Sequence, residues 1–289
     1  MYILSFGEVL WDVYPEQKYI GGAPLNFAAH FVKNGGKASM LSAVGNDNLG
    51  LETIEVIKQW GVGCDYISIH QHKQTGKCLV TLNEKMIPSY NLLSDVAYDE
   101  ICMPLSTDEF DVFYFGTLAL RSDYNFNALS HLLSNHSFKE VFVDVNIRPP
   151  HYSKRSIELA LNHATMIKIS DEELPTILKK IEWKETHNEL ELCRLLCEAY
   201  PQLKVVIITK GDKGSFVYDK TTNKDYAIDA KKVEVVSTVG AGDSFSATFL
   251  AYYLRNESID TCLEMATKVS AFVVSKKDAI REYTIEDIK

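Results

Sequence analysis

The chain has 289 residues, of which 46% are hydrophobic and 24% are charged, and its formal net charge is −9. This composition is typical of a globular protein, and the length allows a sizeable core. An acidic chain without a basic stripe is not a general nucleic-acid binder. No apolar run approaches the roughly 18 residues of a membrane span, and the first residues lack the basic start of a signal peptide. We therefore expect a cytoplasmic protein with neither nucleic-acid nor membrane partners.

In chain order, short apolar runs predict strands, and apolar residues at helical spacing predict helices between them. The predicted strands cover residues 2–6, 9–14, 18–20, 38–44, 66–69, 77–83, 89–93, 111–115, 141–145, 166–169, 205–209 and 215–218. One predicted helix begins at Pro24 and another runs from Gly242 towards Arg255. The other predicted helices cover residues 49–60, 125–133, 153–163, 171–180, 190–200 and 259–276.

The alternation of strands and helices predicts an α/β fold in a single domain, 1–289, with a mostly parallel central sheet covered by helices on both faces. Two stretches interrupt the alternation, because residues 11–20 and 66–93 contain short strands without a helix between the last two. We expect these stretches to form a small β lid over a pocket. The unpaired edges of such a lid could join two chains, and the sequence leaves a homodimer open.

The most informative stretch is 235–255, VVSTVGAGDSFSATFLAYYLR. Gly240 and Gly242 follow a β-branched run, and aromatic residues then recur every four positions, which predicts a strand-to-helix turn at the glycines. The first amides of a helix have no internal partner and lie at the positive end of its dipole. This turn therefore favours an anion such as phosphate, which the missing side chains allow to approach the backbone closely.

Asp243 has two interpretations at this turn. It could be the N-cap of the helix, a position that suits aspartate well. It could instead be a general base beside an anion site, taking the proton of a hydroxyl group while the amides stabilise charge on a transferring phosphoryl group. The spacing alone does not decide between the two.

A second motif, GGAPLNFA at residues 21–28, combines glycines with the start of a helix. Pro24 suits a first helical turn, and Gly22 lets the chain pass close to a ligand. Asn26 could donate and accept hydrogen bonds toward the same space. The same residues also fit an ordinary Gly-Gly turn before a helix.

Three stretches together, GGAPLNFA, DVNIRPP and TVGAGD, resemble the ribokinase (PfkB) family of sugar kinases, and within it most resemble fructokinases. The segments FGTLALR at 115–121, SDEEL at 170–174 and Thr209-x-Gly211 stand in the matching order. The resemblance extends from about Ile3 to about Ile280. It implies a ribokinase-like fold in which the two interrupting stretches are the lid strands.

The resemblance also implies an ATP- and Mg²⁺-dependent enzyme that transfers the γ-phosphate to a hydroxyl group of a free monosaccharide, with fructose as the first candidate. It makes Asp243 the catalytic base, and its anion hole is formed by Gly240, Ala241 and Gly242. The sugar-binding positions are Asp12, Gly22, Asn26, Asn146 and Arg148. The nucleotide-binding positions are Thr209, Gly211 and Thr267, and Glu173 is associated indirectly with magnesium and phosphate.

Several of these residues also have explanations that involve no function. Asp12 and Thr209 could simply stand at the ends of strands. Arg148 could be a loop charge, and Glu173 a first-turn acid that is favourable to its helix dipole.

Four positions depart from the family pattern. Ser170 stands where an Asn usually precedes the acidic residue, and Thr267 occupies a position that is often Asn near the adenine site. Ser237 replaces a common Asp in the region that binds a monovalent cation in relatives, and this departure argues against potassium activation. Asp278 stands where Gly is common on the nucleotide side.

Other classes of protein fit less well. A dinucleotide-dependent oxidoreductase needs Gly-x-Gly-x-x-Gly after the first strand, and a P-loop kinase needs Gly-x-x-x-x-Gly-Lys-Ser/Thr, and the sequence contains neither. A non-catalytic sugar-binding regulator with the same fold is the alternative outside enzymes. Among kinases, ribose, another ketose or 2-keto-3-deoxygluconate could replace fructose. No dense basic cluster indicates an already phosphorylated sugar, although Arg148 could bind a carboxylate or phosphate.

Overall fold

The computed structural model describes residues 1–82, 88–104, 106–107, 109–184, 188–280, 283–284 and 288. Its strands are β1 (Tyr2–Phe6), β2 (Leu10–Val13), β3 (Lys18–Gly21), β4 (Lys37–Gly45), β5 (Gly63–His70), β6 (Gly76–Leu82), β7 (Pro88–Leu92), β8 (Val112–Phe115), β9 (Glu140–Asp144), β10 (Met166–Ser170), β11 (Val205–Thr209), β12 (Ser215–Asp219) and β13 (Lys224–Ile228). Its helices are α1 (Ala23–Lys33), α2 (Asn48–Gln59), α3 (Asp123–Asn135), α4 (Lys154–His163), α5 (Leu174–Lys180), α6 (Glu189–Ala199), α7 (Ala241–Tyr253) and α8 (Ile259–Val274).

The central sheet has the strand order β13-β12-β11-β10-β9-β8-β1-β4-β5. The strands from β11 to β5 pair in parallel, while β12 and β13 run antiparallel at one edge. The middle strands are buried along most of their length, as their continuous apolar sequences predict for a parallel sheet that is covered twice. The predicted mostly parallel α/β sheet is confirmed.

Each face of the sheet packs against its own set of helices. Leu4 and Phe6 of β1 point into a core formed with α3, α4, α5 and α6. Ile3 precedes Leu4, so its side chain points to the opposite face, into a second core formed with α1, α2, α7 and α8. Helices on both faces are therefore confirmed. In the described part of the chain, every helix falls short of the length and apolar character needed to cross a bilayer.

A second, smaller sheet has the order β3-β2-β6-β7. Strand β2 pairs antiparallel with β3 and parallel with β6, and β6 pairs antiparallel with β7. The predicted pairing of residues 11–20 with the later short strands is confirmed. Part of the predicted lid range, residues 83–87, lies outside the described residues.

One part of the predicted lid is wrong. The strand expected at 66–69 is part of β5, which lies at the edge of the central sheet and pairs in parallel with β4. Ile67 packs into one core while Tyr66 packs against the other. An edge strand that is covered in this way has the same short alternating sequence as a lid strand, so periodicity could not distinguish the two.

The structure also differs from the sequence-based expectation beside α7. The β-branched run at Val235 and Val236 forms no strand among the described residues, and both side chains are more than half exposed, at 62% and 57%. The Val236 amide instead donates to the carbonyl of Val274, the last residue of α8, 2.8 Å away. β-branched residues favour strands only where a neighbouring strand is available, and the chain here follows the end of α8 instead.

Candidate active site

The first turn of α7 has the geometry of an anion-binding turn. Gly240 precedes the helix with a left-handed φ of 79°. A Cβ atom at Gly240 would lie 2.8 Å from the Cβ atom of Ala279, so the backbone conformation and the packing both require glycine. The Ser244 amide donates to the Gly240 carbonyl at 2.9 Å. The amides of Gly242 and Asp243 precede this first turn of intrahelical bonding and are free to face a ligand.

Asp243 is the third residue of α7, and its side chain reaches across to α1. Its Oδ2 atom accepts a hydrogen bond from Asn26 Nδ2 at 2.7 Å. Burial, with the nearby charge of Asp144, raises the pKa of Asp243 to about 6. The N-cap interpretation is wrong, because Gly240 occupies the cap position and the Asp243 carboxylate bonds to another helix. A carboxylate with this pKa is suited to accept a proton from a hydroxyl group near neutral pH.

A buried ion pair lies directly beside this turn. Lys168 Nζ on β10 donates to Asp144 Oδ1 at the end of β9, 3.0 Å away. Ser246 of α7 donates to the other oxygen of Asp144 at 3.2 Å. A Cβ atom at Gly242 would lie 3.1 Å from Lys168 Nζ, so the ammonium group adjoins the backbone of the anion-binding turn. An anion bound at the turn would therefore meet a positive side chain as well as amides.

The chain between β1 and α1 brings a buried acid close to the predicted sugar side. Glu8 is 3% exposed, and its Oε1 atom accepts from the Ala23 amide at 3.2 Å. Gly22 has φ 118°, and a Cβ atom there would lie 2.3 Å from the Glu8 carbonyl oxygen, so only glycine fits. Asp12 on β2 is half-buried, and burial raises its pKa, with opposing contributions from Cys78 and Arg148. Burial also raises the pKa of Glu8 to about 7.

Asn146, Arg148 and Glu173 lie on the loops that follow β9 and β10. Asn146 adopts a left-handed φ of 44°. Arg148 is exposed, and its charge lowers the pKa of Glu8, Asp12 and Asp243 against the effect of burial. Glu173 accepts hydrogen bonds from the amides of Ser170 and Ile147, one on each carboxylate oxygen. Glu173 therefore ties the two loops together.

The residues predicted to bind nucleotide lie further along the same sheet. Thr209 ends β11 and pairs with Ser170 of β10. Gly211 has φ 57°, and a Cβ atom there would meet no heavy atom within 4 Å, so the turn is open to solvent. Thr267 is a buried residue of α8, one turn before Ser270, whose hydroxyl donates to the Ala241 carbonyl at 3.1 Å. Helix α8, which carries Thr267, thus contacts the start of α7. Thr209 and Gly211 lie on the neighbouring loops after β10 and β11.

The remaining departures from the family pattern lie on the loops around α7 and α8. Ser237 accepts from the Val239 amide at 3.3 Å, and Asp278 lies in the turn 276–280 after α8. Among the residues that the structure describes, no three His, Cys, Asp or Glu side chains come together as a metal site. Magnesium that arrives on nucleotide phosphates needs only one or two protein carboxylates, directly or through water. The Glu173 carboxylate therefore fits the needs of such an ion.

The structure thus brings the predicted base, its anion-binding turn and Asn26 into direct contact. The charge of Arg148 acts on Asp243 and on Asp12. Glu173 bonds to the loop after β9, which carries Arg148. The sequence analysis missed Glu8, Asp144 and Lys168. A signal existed for each, because a charged residue inside or just after an apolar strand needs a buried partner, but the sequence does not show which partner.

An open parallel α/β sheet with an anion-binding helical turn and a carboxylate at its carboxyl edge is typical of a phosphate-transferring enzyme. The family model described as pfkB family carbohydrate kinase matches residues 4–285. The chain therefore belongs to the pfkB family and is a carbohydrate kinase.

Individual relatives agree with this assignment. Fructokinase-2 from Zea mays is 26% identical, over 96% of this chain and 90% of that protein. The crystal structure of a fructokinase with bound ATP from Xylella fastidiosa has a TM-score of 0.83 at 20% identity, covering 96% of this chain and 93% of that one. An uncharacterized sugar kinase from Pyrococcus horikoshii in complex with ATP has a TM-score of 0.77 at 25% identity, with the same two coverages.

Proposed function

We propose that the protein transfers the γ-phosphate of ATP to a hydroxyl group of a free monosaccharide, with fructose as the first candidate. The observation that carries this proposal is the first turn of α7. It holds free amides and the Asp243 carboxylate within three residues of each other, with Lys168 beside them. A turn of this kind serves both partners of a phosphoryl transfer, the acceptor hydroxyl and the charged phosphoryl group.

Asp243 has one carboxylate oxygen available for the acceptor. Asn26 holds Oδ2, which leaves Oδ1 to take the proton of the sugar hydroxyl. As that proton moves, the hydroxyl oxygen bonds to the γ-phosphorus, and the bond from phosphorus to the bridging oxygen of ADP breaks. The amides of Gly242 and Asp243 and the Lys168 ammonium stabilise the charge on the phosphoryl oxygens.

ATP would lie along the carboxyl ends of β10 and β11, as ligands do in open α/β sheets. Thr209 and Gly211 border that region. The loop before α7 offers an apolar surface for the adenine ring through four exposed valines: Val233, Val235, Val236 and Val239. Magnesium, when bound to the phosphates, supplies positive charge for the transferred group. Glu173 would contact it through water, because both its carboxylate oxygens accept backbone amides.

A neutral sugar suits the site better than a sugar acid. The Oδ1 atom of Asn26 is buried and lacks a hydrogen-bond partner among the described residues, so a sugar hydroxyl could supply the missing donor. Arg148 already lies near Glu8, Asp12 and Asp243. The carboxylate of 2-keto-3-deoxygluconate would add another negative charge to that group.

The small sheet would act as a lid on the sugar side. Strand β2 carries Asp12, and β3 leads directly into Gly22 and α1. Closure of this sheet over a bound sugar would exclude water, which otherwise competes with the sugar for the γ-phosphate.

The test is a kinetic comparison of fructose, ribose, mannose and 2-keto-3-deoxygluconate with ATP and Mg²⁺, following ADP formation. We expect fructose to give the highest kcat/KM and the sugar acid to be at least about tenfold poorer. A higher kcat/KM for the sugar acid would overturn the choice of a neutral sugar. Failure of all four to accelerate ADP formation over ATP alone would contradict the proposed reaction.

A further inference from the structure

His30 lies in the middle of α1 and is fully buried, although nothing in the proposed chemistry uses it. It follows Asn26 by four residues, so both side chains lie on the same face of the helix, one turn apart. Asn26 holds Asp243, whereas His30 reaches the segment that follows α8. Helix α1 therefore contacts both sides of the anion-binding turn.

Both ring nitrogens of His30 are engaged. The Nε2 atom lies 2.9 Å from the Ala279 carbonyl oxygen, and the Nδ1 atom lies 2.8 Å from the Tyr283 hydroxyl. A carbonyl oxygen can only accept, so Nε2 must carry the proton, and Nδ1 then accepts from the tyrosine hydroxyl. A neutral imidazole satisfies both contacts, and burial lowers the pKa of His30 to about 4. The ring is therefore a fixed connector and is not available as a proton carrier.

The residue that His30 binds is the one that packs on Gly240. A Cβ atom placed at Gly240 would lie 2.8 Å from Ala279 Cβ and 3.1 Å from Ala279 Cα, so the backbones of these two residues are in close contact. The same turn, 276–280, also reaches the small sheet, where Lys277 Nζ lies 3.4 Å from Gln17 Oε1. A shift of Ala279 would consequently move Gly240, the left-handed residue that precedes α7.

We propose that His30 is a positioning residue, which fixes Ala279 against Gly240 and so holds the first turn of α7 in the conformation that presents the Gly242 amide and the Asp243 carboxylate. The mechanistic part of this inference rests on the proposed kinase reaction. The conformational part does not, since it concerns only the packing of α1, Ala279 and α7.

Amide hydrogen exchange tests the conformational part without any substrate. His30→Leu keeps an apolar side chain of similar size but removes both hydrogen bonds. We expect the amides of Ala241 and Ser244, which bond to Thr238 and Gly240, to exchange at least about tenfold faster in this variant. His30→Gln can still donate to the Ala279 carbonyl and should stay within about threefold of the wild type.

Gln202→Leu is the matched control, because it also removes a side-chain bond to a backbone carbonyl, that of Leu161, 2.6 Å away. It precedes β11, at the opposite end of the sheet, and should leave the Ser244 amide unchanged. If His30→Leu does not fold, His30→Met replaces it, because the adaptable methionine side chain also lacks both hydrogen bonds, and the same acceleration at Ser244 is expected. Wild-type exchange at Ser244 in the folded variant, or equal acceleration in Gln202→Leu, would overturn the proposal.

Kinetics with ATP and the best sugar test the mechanistic part. We expect His30→Leu to lower kcat at least about tenfold with the sugar KM within about threefold, and His30→Gln to recover most of the loss. If the wild type phosphorylates none of the sugars, the proposed function fails, while the exchange result still decides the role of His30. An unchanged kcat in His30→Leu would show that the first turn does not need this support.

Discussion

Three acidic side chains around the start of α7 share one physical situation. Glu8, Asp12 and Asp243 are each drawn away from water, which raises the pKa of each, while the Arg148 charge opposes the shift. Carboxylates with raised pKa values therefore lie on the side of the site where the acceptor hydroxyl would have to lose its proton. Of the three, Asp243 lies on the anion-binding turn itself, and we therefore propose it as the base.

The raised pKa of Asp243 predicts a pH dependence. As the proposed base, Asp243 would act only when it is deprotonated, so kcat/KM should be level above pH 7 and fall by about tenfold per pH unit below about pH 6. The measurement is kcat/KM from pH 5 to pH 8, with circular dichroism showing that the protein stays folded. A level profile down to pH 5 would remove Asp243 as the group whose ionisation controls the reaction.

The ion pair of Lys168 and Asp144 predicts a separation of stability from activity. Lys168→Met leaves Asp144 buried without its partner, at a cost of about 3–5 kcal/mol in the free energy of unfolding. The double variant Lys168→Met/Asp144→Asn removes the unpaired charge, so most of that stability should return. Its kcat should remain at least about tenfold low, because the Lys168 ammonium group no longer faces the phosphoryl group. Wild-type kcat in the double variant would make the pair purely structural.

Site residues could be predicted from the sequence where the backbone conformation requires a particular residue type. Gly240, Gly22 and Asn26 stand at turns where a glycine or an amide has few other uses, and the structure connects Asn26 directly to Asp243. Lys168 and Glu8 lie within or just after apolar strands, where the sequence shows a charged residue but not its partner. For Lys168 the partner is Asp144, because β9 and β10 are neighbours in the sheet, and the order of the strands is known only from the fold.

At the level of elements, the first turn of α7 contains two glycines with different roles. Gly240 has a left-handed φ and packs on Ala279, so its replacement would disturb the backbone. Gly242 lies inside the helix, where a Cβ atom would meet only the flexible end of Lys168, at 3.1 Å. The absence of a side chain at Gly242 therefore serves the ligand more than the fold.

The variant Gly242→Ala should distinguish these roles. Alanine is favoured over glycine in a helix by up to about 1 kcal/mol, so Tm should be equal to or above that of the wild type. The added methyl group occupies the space proposed for the phosphoryl group, so kcat should fall at least about tenfold. Thermal unfolding and steady-state kinetics on the same preparation measure both. Gly240→Ala is the comparison, and it should lose stability as well. Full activity of Gly242→Ala would show that the turn does not contact the transferred group.

The elements themselves were predictable wherever one periodicity was unambiguous. The buried strand Val205–Thr209 was predicted to the residue, since a continuous apolar run of this length fits a central parallel strand. Strand β13 was missed, because two of the five residues in its sequence KDYAI are charged and the strand is ordered by pairing with β12. In the turn between β12 and β13, Asp219 accepts a hydrogen bond from the Thr221 amide at 2.9 Å. The run of polar residues in the sequence does not predict this contact.

For the whole molecule, the two cores lie on opposite faces of the same strands. Strands β2 and β6 of the small sheet directly follow β1 and β5 of the central sheet in the chain. We therefore propose that the chain unfolds as one domain. The edges of the small sheet are β3 and β7, and these remain the candidate surfaces for a homodimer.

The burial of Asp243 also affects the stability of the whole chain. The folded pKa of Asp243 is about 6 against about 3.9 when unfolded, so the unfolded state releases its proton first as pH rises, and stability falls between pH 4 and pH 6. Asp243→Asn avoids this penalty, so it should be more stable than the wild type by up to about 3 kcal/mol at pH 8. The gain should fade to below about 1 kcal/mol at pH 4. Denaturant unfolding at both pH values measures it. A destabilised variant at pH 8 would mean that the ionised carboxylate supports the fold.

The turnover of Asp243→Asn tests the central claim most directly. Asparagine can still accept the bond from Asn26 but cannot take a proton, so kcat should fall by about 10² to 10⁴. The Kd for ATP, measured by calorimetry, should change by less than about threefold, because the amides of the turn are unaltered. Turnover close to that of the wild type, with ATP binding intact, would contradict the assignment of Asp243 as the base.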